Sequence, residues 1–286
     1  MHYLKVIDKL KYLNDNDVPG RKEQMQHLVD TVFPLKWLHH PLKARTVISR
    51  CRKDAPNLNQ ESFGCKKAKD VKNFQRASIP YKSVFYGSVG DNGVEDGDII
   101  ALLETSKIHR NSIEKGREQI AVSHWLVTKD IDMALICHDR VFADAKRGST
   151  LNAMQQNYLR KLPEYDKDFN VIREFDILAE FVSGQFAKRV QEGDNSQYMI
   201  SAFFAHNSLL TEPGMIYPSA QVDGKLGFNV VLNPQTVKNN LCFLEAEWRV
   251  LYKAKNYMQI PVGEYDEKQI AKWLEIDDLN ELEWIE

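Results

Sequence analysis

The sequence has few cysteines, no long apolar run and no signal-like start. The cysteines are far apart and form no C-x-x-C pair: Cys51, Cys65, Cys137 and Cys242. This pattern is typical of reduced thiols rather than of a disulfide framework or a zinc site. No run of about 18 apolar residues occurs, so no membrane-spanning helix is expected. Because the first residues mix charge into every helical turn, no signal peptide is predicted, and the sequence favours a cytoplasmic protein.

The chain also lacks net charge and the common nucleotide and metal motifs. Its 38 basic and 40 acidic residues leave a formal net charge of −2, so the bulk basic charge that drives non-specific nucleic-acid binding is missing. Neither G-x-G-x-x-G nor G-x-x-x-x-G-K-[ST] occurs, and neither does H-E-x-x-H or G-x-S-x-G. Adjacent histidines point in different directions, so we interpret His39 and His40 as surface residues and predict no metal site.

The length fits one large domain or one domain with appendages. The chain has 286 residues, of which 43% are hydrophobic and 27% charged, as in ordinary soluble globular proteins. Strands and helices do not alternate regularly, which favours an α+β fold over a doubly wound parallel sheet. We interpret residues 1–46 as an N-terminal helical extension, 47–252 as the main domain, and 253–286 as an acidic tail with a short helix.

The spacing of apolar residues predicts the individual elements. Helical spacing predicts helices over 2–14, 21–32, 175–190 and 198–210, with a capped helix from Asp266 in the tail. Short apolar or alternating runs predict strands over 84–86, 119–127, 131–137, 228–232 and 244–252. The glycine-rich stretch 87–98 is interpreted as a solvated loop, and the apolar run 99–103 fits either a strand or a helix. Residues 54–82 are polar and irregular, which in a compact domain often indicates function.

Three segments together carry the most specific signal. The first is 49–52 (SRCR). The second runs from Arg76 through an apolar strand to Tyr86 and continues to 101–104 (ALLE). The third is 214–219 (GMIYPS), followed by 227–232 (GFNVVL). In this order the segments resemble the RES domain family, which is named for its Arg, Glu and Ser. The resemblance covers 47–245, although Gln75, Ser78 and 81–83 depart from the family pattern.

The resemblance implies NAD⁺ chemistry on a fold like that of ADP-ribosyltransferase toxins, with mixed, mainly antiparallel sheets and flanking helices. Family members degrade NAD⁺ by hydrolysis or phosphorolysis, or modify proteins with ADP-ribose. Many are toxins that an Xre-type antitoxin silences in trans. NAD⁺ is therefore expected as the substrate and such an antitoxin as a partner, whereas neither a metal nor a membrane is expected. The 1–46 extension is suited to packing on the core, to forming a homo-oligomer or to holding a partner.

The chemistry of the reaction suggests a role for each matching residue. Nicotinamide leaves as a neutral molecule, so one carboxylate that stabilises the cationic ribose suffices, and Glu104 is the candidate. Arginine forks bind diphosphates, which points to Arg50 and Arg76, and Arg52 shares a face with Arg50 if 49–52 is a strand. We assign catalytic roles to Glu104, Arg76 and Ser219. Binding of the dinucleotide is assigned to Arg50, Arg52, Tyr86, Tyr217 and Asn229.

Two other functions remain open at this stage. Mono-ADP-ribosyl transfer to a macromolecule is disfavoured, because related transferases often carry a polar residue two positions before the catalytic Glu, where this chain has Leu102. A degenerate module that binds without turnover is the other alternative, and it is motivated by the departures at Gln75, Ser78 and Lys82.

Overall fold

The protein combines helices with one large sheet, so the predicted α+β class is confirmed. The computed structural model describes residues 3–110, 116–138, 150–165, 169–190, 193–222, 226–254 and 257–259. Within these residues nine strands form one sheet in the order β1-β5-β6-β7-β3-β2-β4-β8-β9. Neighbouring strands are antiparallel except β5 and β6, which are parallel. The predominance of antiparallel pairing agrees with the expectation from the sequence.

The strands have the following bounds: β1 His39–Leu42, β2 Val47–Arg52, β3 Phe85–Gly90, β4 Gly116–Val127, β5 Ile131–Leu135, β6 Gly214–Tyr217, β7 Gly227–Leu232, β8 Leu241–Ala254 and β9 Tyr257–Gln259. The helices are α1 Tyr3–Asp15, α2 Arg21–Asp30, α3 Gln60–Phe63, α4 Val94–Thr105, α5 Lys107–Arg110, α6 Thr150–Tyr165, α7 Phe169–Ala187, α8 Met199–Ser208 and α9 Pro234–Asn240. Short 3₁₀ turns occur at Ala68–Asp70 and Asn195–Tyr198.

Most elements with strong periodicity lie where the sequence predicts them. Helices α1, α2, α7 and α8 and strands β4, β5, β7 and β8 overlap their predicted ranges. However, β4 and β5 do not pair with each other across their connecting turn, because β4 lies between β2 and β8 and β5 lies between β1 and β6. Strand β1, inside the expected helical extension, pairs with β5. The predicted helix from Asp266 lies outside the described residues.

The prediction of a loop over 87–98 is wrong. Strand β3 continues to Gly90 and helix α4 begins at Val94, so only a short turn remains between them. Gly87 lies inside strand β3. Only glycine fits at this position, because a Cβ there would come within 2.2 Å of Ile48 Cγ2. The glycine thus permits close approach of two strands rather than marking a solvated loop. The ambiguous run 99–103 is part of α4.

Two apolar clusters cover the two faces of the sheet. One joins α1, α2, α7 and α8 to alternate residues of β6 and β7, including Met215 and Val231. The other contains the intervening residues Ile216 and Val230 together with Trp125 of β4. Alternating strand residues point to opposite faces, so both faces are buried over these central strands. Helix α4 packs against β2 and β3.

Strands β2 and β3 are adjacent but pair at a single position, Ser49 opposite Ser88. On one side of this pair lie Arg50 and Arg52 of β2 and Tyr86 of β3. These residues do not pair across the two strands. The sheet is therefore split between these strands. Side chains from both of its faces can reach the gap, and this split positions the site described next.

Candidate active site

A cleft of about 640 Å³ lies at the split between β2 and β3. Most of the residues that the sequence assigns to the site line this one cleft: Arg50, Arg52, Arg76, Tyr86, Glu104, Tyr217 and Asn229. Ser219 is fully buried and contacts the cleft only through Glu104. The structure therefore brings together eight residues that are spread over some 180 positions of the chain.

Glu104 is held by two side chains that come from a distant part of the sequence. Ser219 Oγ donates a hydrogen bond of 2.7 Å to Glu104 Oε1, and Asn229 Nδ2 donates one of 2.9 Å to the same oxygen. Neither bond uses Oε2. The carboxylate is therefore oriented by one of its oxygens, while Oε2 is left for a ligand in the cleft.

The two donors are themselves oriented. Ser88 Oγ donates to Asn229 Oδ1 at 2.8 Å, which turns the amide nitrogen of Asn229 towards Glu104. The backbone N–H of Gln221 donates to Ser219 Oγ at 3.2 Å, so the serine proton is directed to the carboxylate. Ser219 thus positions Glu104, and its complete burial places it behind the carboxylate rather than against a ligand.

The position of Glu104 in its helix is electrostatically unfavourable. It lies in the last turn of α4, where the partial negative charge of the helix C-terminus disfavours a carboxylate. Glu95 and Asp96, by contrast, lie in the first turn, where acids are stabilising. Side chains that are kept in unfavourable positions often serve a function.

Arg50 and Arg52 extend from the same face of β2 towards one carbonyl. Arg52 Nη2 donates to Gly64 O at 2.6 Å, and Arg50 Nη2 approaches the same oxygen at 3.4 Å. Arg50 also donates to Tyr86 O at 2.6 Å and lies 4.5 Å from the centre of the Phe85 ring. The structure therefore does not separate the two arginines, because both belong to the cleft.

This pair of guanidinium groups is suited to an anion. Neither forms an ion pair with a carboxylate of the described residues, and the Nε atoms of both are buried without a hydrogen-bond partner there. Burial, and then the Arg52 guanidinium, lower the pKa of Arg50, and burial also lowers the pKa of Arg52. An anionic ligand would relieve both effects.

The rest of the cleft extends this positive character. Two acidic residues line it, Asp54 and Glu104, against seven basic ones: Arg50, Arg52, Lys53, Lys66, Arg76, Lys107 and Arg110. In a chain with a formal net charge of −2, this is a strong local concentration of cations. Lys53 is neutralised by Glu118 at 2.8 Å, but the excess remains. Such a cleft attracts phosphorylated ligands.

Arg76 is held in place mainly by backbone carbonyl groups. Gln75 and Ser78 close a tight turn through reciprocal backbone hydrogen bonds of 2.9 and 3.2 Å, and Arg76 lies within it. Its Nη1 donates to two backbone carbonyls, those of Phe186 and Lys188, at the end of α7. The residues that depart from the family pattern therefore form the turn that presents Arg76.

Aromatic rings form one wall of the cleft. The hydroxyl of Tyr86 accepts a hydrogen bond of 2.9 Å from the backbone N–H of Ala77. Burial raises the pKa of Tyr86 and of Tyr217, so both phenols stay neutral. Tyr198 adds a third ring, which lies 5.1 Å below the Arg76 guanidinium, and its hydroxyl is 3.4 Å from Arg110 Nη2.

Several contributors to the site were missed by sequence reasoning, among them Ser88, Lys66, Tyr198 and Arg110. Ser88 is the second residue after Tyr86 on the same strand face, so period-two alternation was a usable signal. Lys66 lies in the polar, irregular stretch 54–82, whose length without regular structure was itself a signal of function. Tyr198 and Arg110 carry no signal in the sequence, because contacts between distant segments bring them to the cleft.

Comparison with known proteins leaves the family open. The sequence matches no protein-family model, and no curated protein matches it. Within the described ranges, no group of three or more His, Cys, Asp or Glu side chains is arranged to hold a metal ion. None of the helices described combines the length and apolar character that crossing a membrane requires.

Proposed function

We propose that this protein binds NAD⁺ and cleaves its nicotinamide–ribose bond, as a glycohydrolase or a phosphorylase. The observation that carries the proposal is Glu104. Its carboxylate is the one that Ser219 and Asn229 orient inside a cleft of excess positive charge. The described arrangement matches what this chemistry needs, which is one acid near the reacting sugar and fixed cations for the diphosphate.

The residues fit the two parts of the substrate. Arg50 and Arg52 have no carboxylate partner among the described residues, and their buried Nε atoms make no hydrogen bond there, which suits a diphosphate. When the bond between ribose C1′ and the pyridinium nitrogen breaks, its electron pair neutralises the nicotinamide ring and positive charge develops on the ribose. The Glu104 carboxylate stabilises that charge. Water then bonds to C1′ and releases one proton to the solvent, or an oxygen of a phosphate anion bonds to C1′ instead. No general acid is needed, which agrees with the presence of one oriented acid.

The resemblance to the RES family adds the finer parts of the proposal. They are an arrangement like that of ADP-ribosyltransferases, a toxin-like effect, and inhibition in trans by an Xre-type antitoxin. The order of Arg50, Arg76, Tyr86, Glu104 and Ser219 along the chain supports these parts.

Transfer of ADP-ribose to a macromolecule is the less favoured alternative. Leu102, two residues before Glu104, is fully buried against Ile120 and Val122. It cannot orient an acceptor in the cleft. Label from adenylate-tagged NAD⁺ that appears on protein or nucleic acid would instead favour transfer.

Release of nicotinamide by the purified protein tests the proposal. We expect Glu104→Gln to lower kcat by about 100- to 1,000-fold, because the neutral amide cannot stabilise a cation. The variant should fold at least as well as the wild type, since it removes a carboxylate from the negative end of α4. Glu95→Gln, an exposed change on the same helix, is the matched control and should retain full activity.

Two results would contradict the proposal. One is the absence of nicotinamide release from the wild type, and the other is equal release from Glu104→Gln and Glu95→Gln. Calorimetry separates the remaining alternative, because affinity for NAD⁺ without any turnover would indicate a binding module.

A further inference from the structure

A second cluster of charged residues lies beneath helix α4, outside the lining of the cleft. It consists of Asp98 on α4, His124 on β4, and Glu245, Glu247 and Arg249 on β8; we call it the Asp98 cluster. Neither the sequence motifs nor the proposed reaction accounts for it. Buried charges are costly unless they are paired, so a cluster of this kind needs an explanation.

Asp98 is the centre of the cluster. It is 2% exposed. Its Oδ1 accepts a hydrogen bond of 2.9 Å from His124 Nε2, and its Oδ2 lies 2.8 Å from Arg249 Nη1. The other ring nitrogen of His124 is 3.1 Å from Glu245 Oε1. With a carboxylate at each ring nitrogen, His124 donates two hydrogen bonds and is therefore the cation.

The Asp98 cluster and the Glu104 contacts belong to one row of the sheet. Strand register places polar residues side by side on β7, β3, β2, β4 and β8: Asn229, Ser88, Ser49, His124 and Glu245. Helix α4 spans this row and contacts it through two acids. Glu104 binds Asn229, and Asp98 binds His124, three strands away.

The dimensions agree with such a span. Three strand spacings of about 4.8 Å separate β7 from β4, or about 14 Å. The six residues from Asp98 to Glu104 advance about 9 Å along the helix, and the two side chains bridge the remainder. Apolar contacts of α4, such as those of Ile100 and Leu102, are not directional and permit small rotations or slides. Hydrogen-bonded carboxylates at two points along the helix, Asp98 in its second turn and Glu104 in its last, do not permit such movements.

We propose that Asp98 and His124 are positioning residues, which hold α4 in the register that places the Glu104 carboxylate in the cleft. The expected effect of this anchor on kcat rests on the proposed function, because it assumes that Glu104 is catalytic. It adds a second anchor, on β4 and β8, to the anchor that Ser219 and Asn229 provide.

The anchor depends on the charge of His124. Its bond to Asp98, and then the nearby Glu245, raise the pKa of His124 above 6.5, although burial opposes the shift. A histidine whose pKa is raised by folding contributes stability that is complete below pH 6.5 and is lost as the pH rises through the raised pKa. The titratable and charged groups near His124 are Asp98 on α4, Glu245, Glu247 and Arg249 on β8, and Cys51 on β2. Burial, and then the charge of Asp98, raise the pKa of the Cys51 thiol.

The experiment compares His124→Gln with a matched control, His39→Gln. His39 also lies between two carboxylates, Asp132 at 2.8 Å and Glu212 at 3.2 Å, but it is on β1 at the far end of the sheet. We expect His124→Gln to lower kcat for nicotinamide release by about 10- to 100-fold with KM within about twofold, because small displacements of a catalytic group are costly. His39→Gln should retain the kcat of the wild type.

The pH dependence of kcat distinguishes this proposal from a purely structural role of His124, which would not change the shape of the profile. The wild type should lose kcat on the alkaline side of the raised His124 pKa, and this limb should be absent from His124→Gln. Glu245→Gln, which removes a carboxylate that is 73% exposed, should move the limb to lower pH without unfolding the protein. An alkaline limb that stays in place in Glu245→Gln, or equal kcat in the two histidine variants, would overturn the proposal.

Hydrogen exchange separates this proposal from the proposed function. Amides of 94–105 should exchange faster in His124→Gln than in His39→Gln, whether or not the protein consumes NAD⁺. If the wild type releases no nicotinamide, the proposed function fails, and exchange alone decides about the anchor. Equal exchange in the two variants would overturn it.

Discussion

Removal of the Ser219 hydroxyl tests whether Glu104 depends on its orientation. Serine to alanine at a fully buried position removes one oxygen and leaves little space. The change deletes the 2.7 Å hydrogen bond to Glu104 Oε1 but keeps the 2.9 Å bond from Asn229. A hydrogen bond to a charged group contributes about 1.5–3 kcal/mol. If most of this is expressed in the transition state, Ser219→Ala lowers kcat by about 10- to 150-fold.

The assay is the initial rate of nicotinamide release over a range of NAD⁺ concentrations. We expect the loss in kcat and a nearly unchanged KM, because Ser219 does not line the cleft. Ser208→Ala is the matched control. Ser208 is equally buried, accepts from Trp37 Nε1 at 2.8 Å and donates to Phe204 O at 2.9 Å, but it lies on α8 away from the cleft. It should reduce stability to a similar degree and leave kcat unaltered.

A double variant makes the test sharper. If Ser219 acts only through Glu104, the change Ser219→Ala costs nothing in a Glu104→Gln background, because the two effects share one path. Equal kcat for Ser219→Ala and Ser208→Ala would refute the reasoning. A loss that appears wholly in KM would do the same.

Two further predictions follow from the cleft and from the close approach of β2 and β3 at Gly87. Burial, and then Arg52 and Arg50, lower the pKa of Lys66 below 10.5, so its positive charge is lost as the pH rises through the lowered pKa and the Kd for ADP-ribose should rise in that window. The variant Lys66→Arg should keep its affinity to higher pH. Identical pH profiles of the two proteins in titration calorimetry would contradict this prediction. Gly87→Ala places a Cβ 2.2 Å from Ile48 Cγ2, so urea unfolding should show a loss of about 1–3 kcal/mol or more, while Gly184→Ala, in open space on α7, should cause none.

Local patterns explain why many elements were predictable. In α1 the apolar side chains recur at helical spacing, because the helix buries one face. In β4 the residues 120–125 are all buried, as in a strand that is covered on both faces. Such patterns lie within a few residues, so the sequence reveals them without knowledge of the partner. The stretch 87–98 misled the prediction because its glycines serve close packing at Gly87 and the start of α4 rather than a solvated loop.

The sequence proposed part of the candidate site as single residues, but it did not give their arrangement. The sequence alone determined which side chains carry suitable chemistry and in which order they occur, from Arg50 to Asn229. Only the tertiary structure decided that Glu104 meets Ser219 and Asn229, which are 115 and 125 positions away along the chain. It also decided that β2 and β3 separate after one pair of residues, and that Asp98 meets His124 beneath the same helix. The physical reason is that strand order and helix placement follow from packing between distant segments, and no local periodicity records which segments those are.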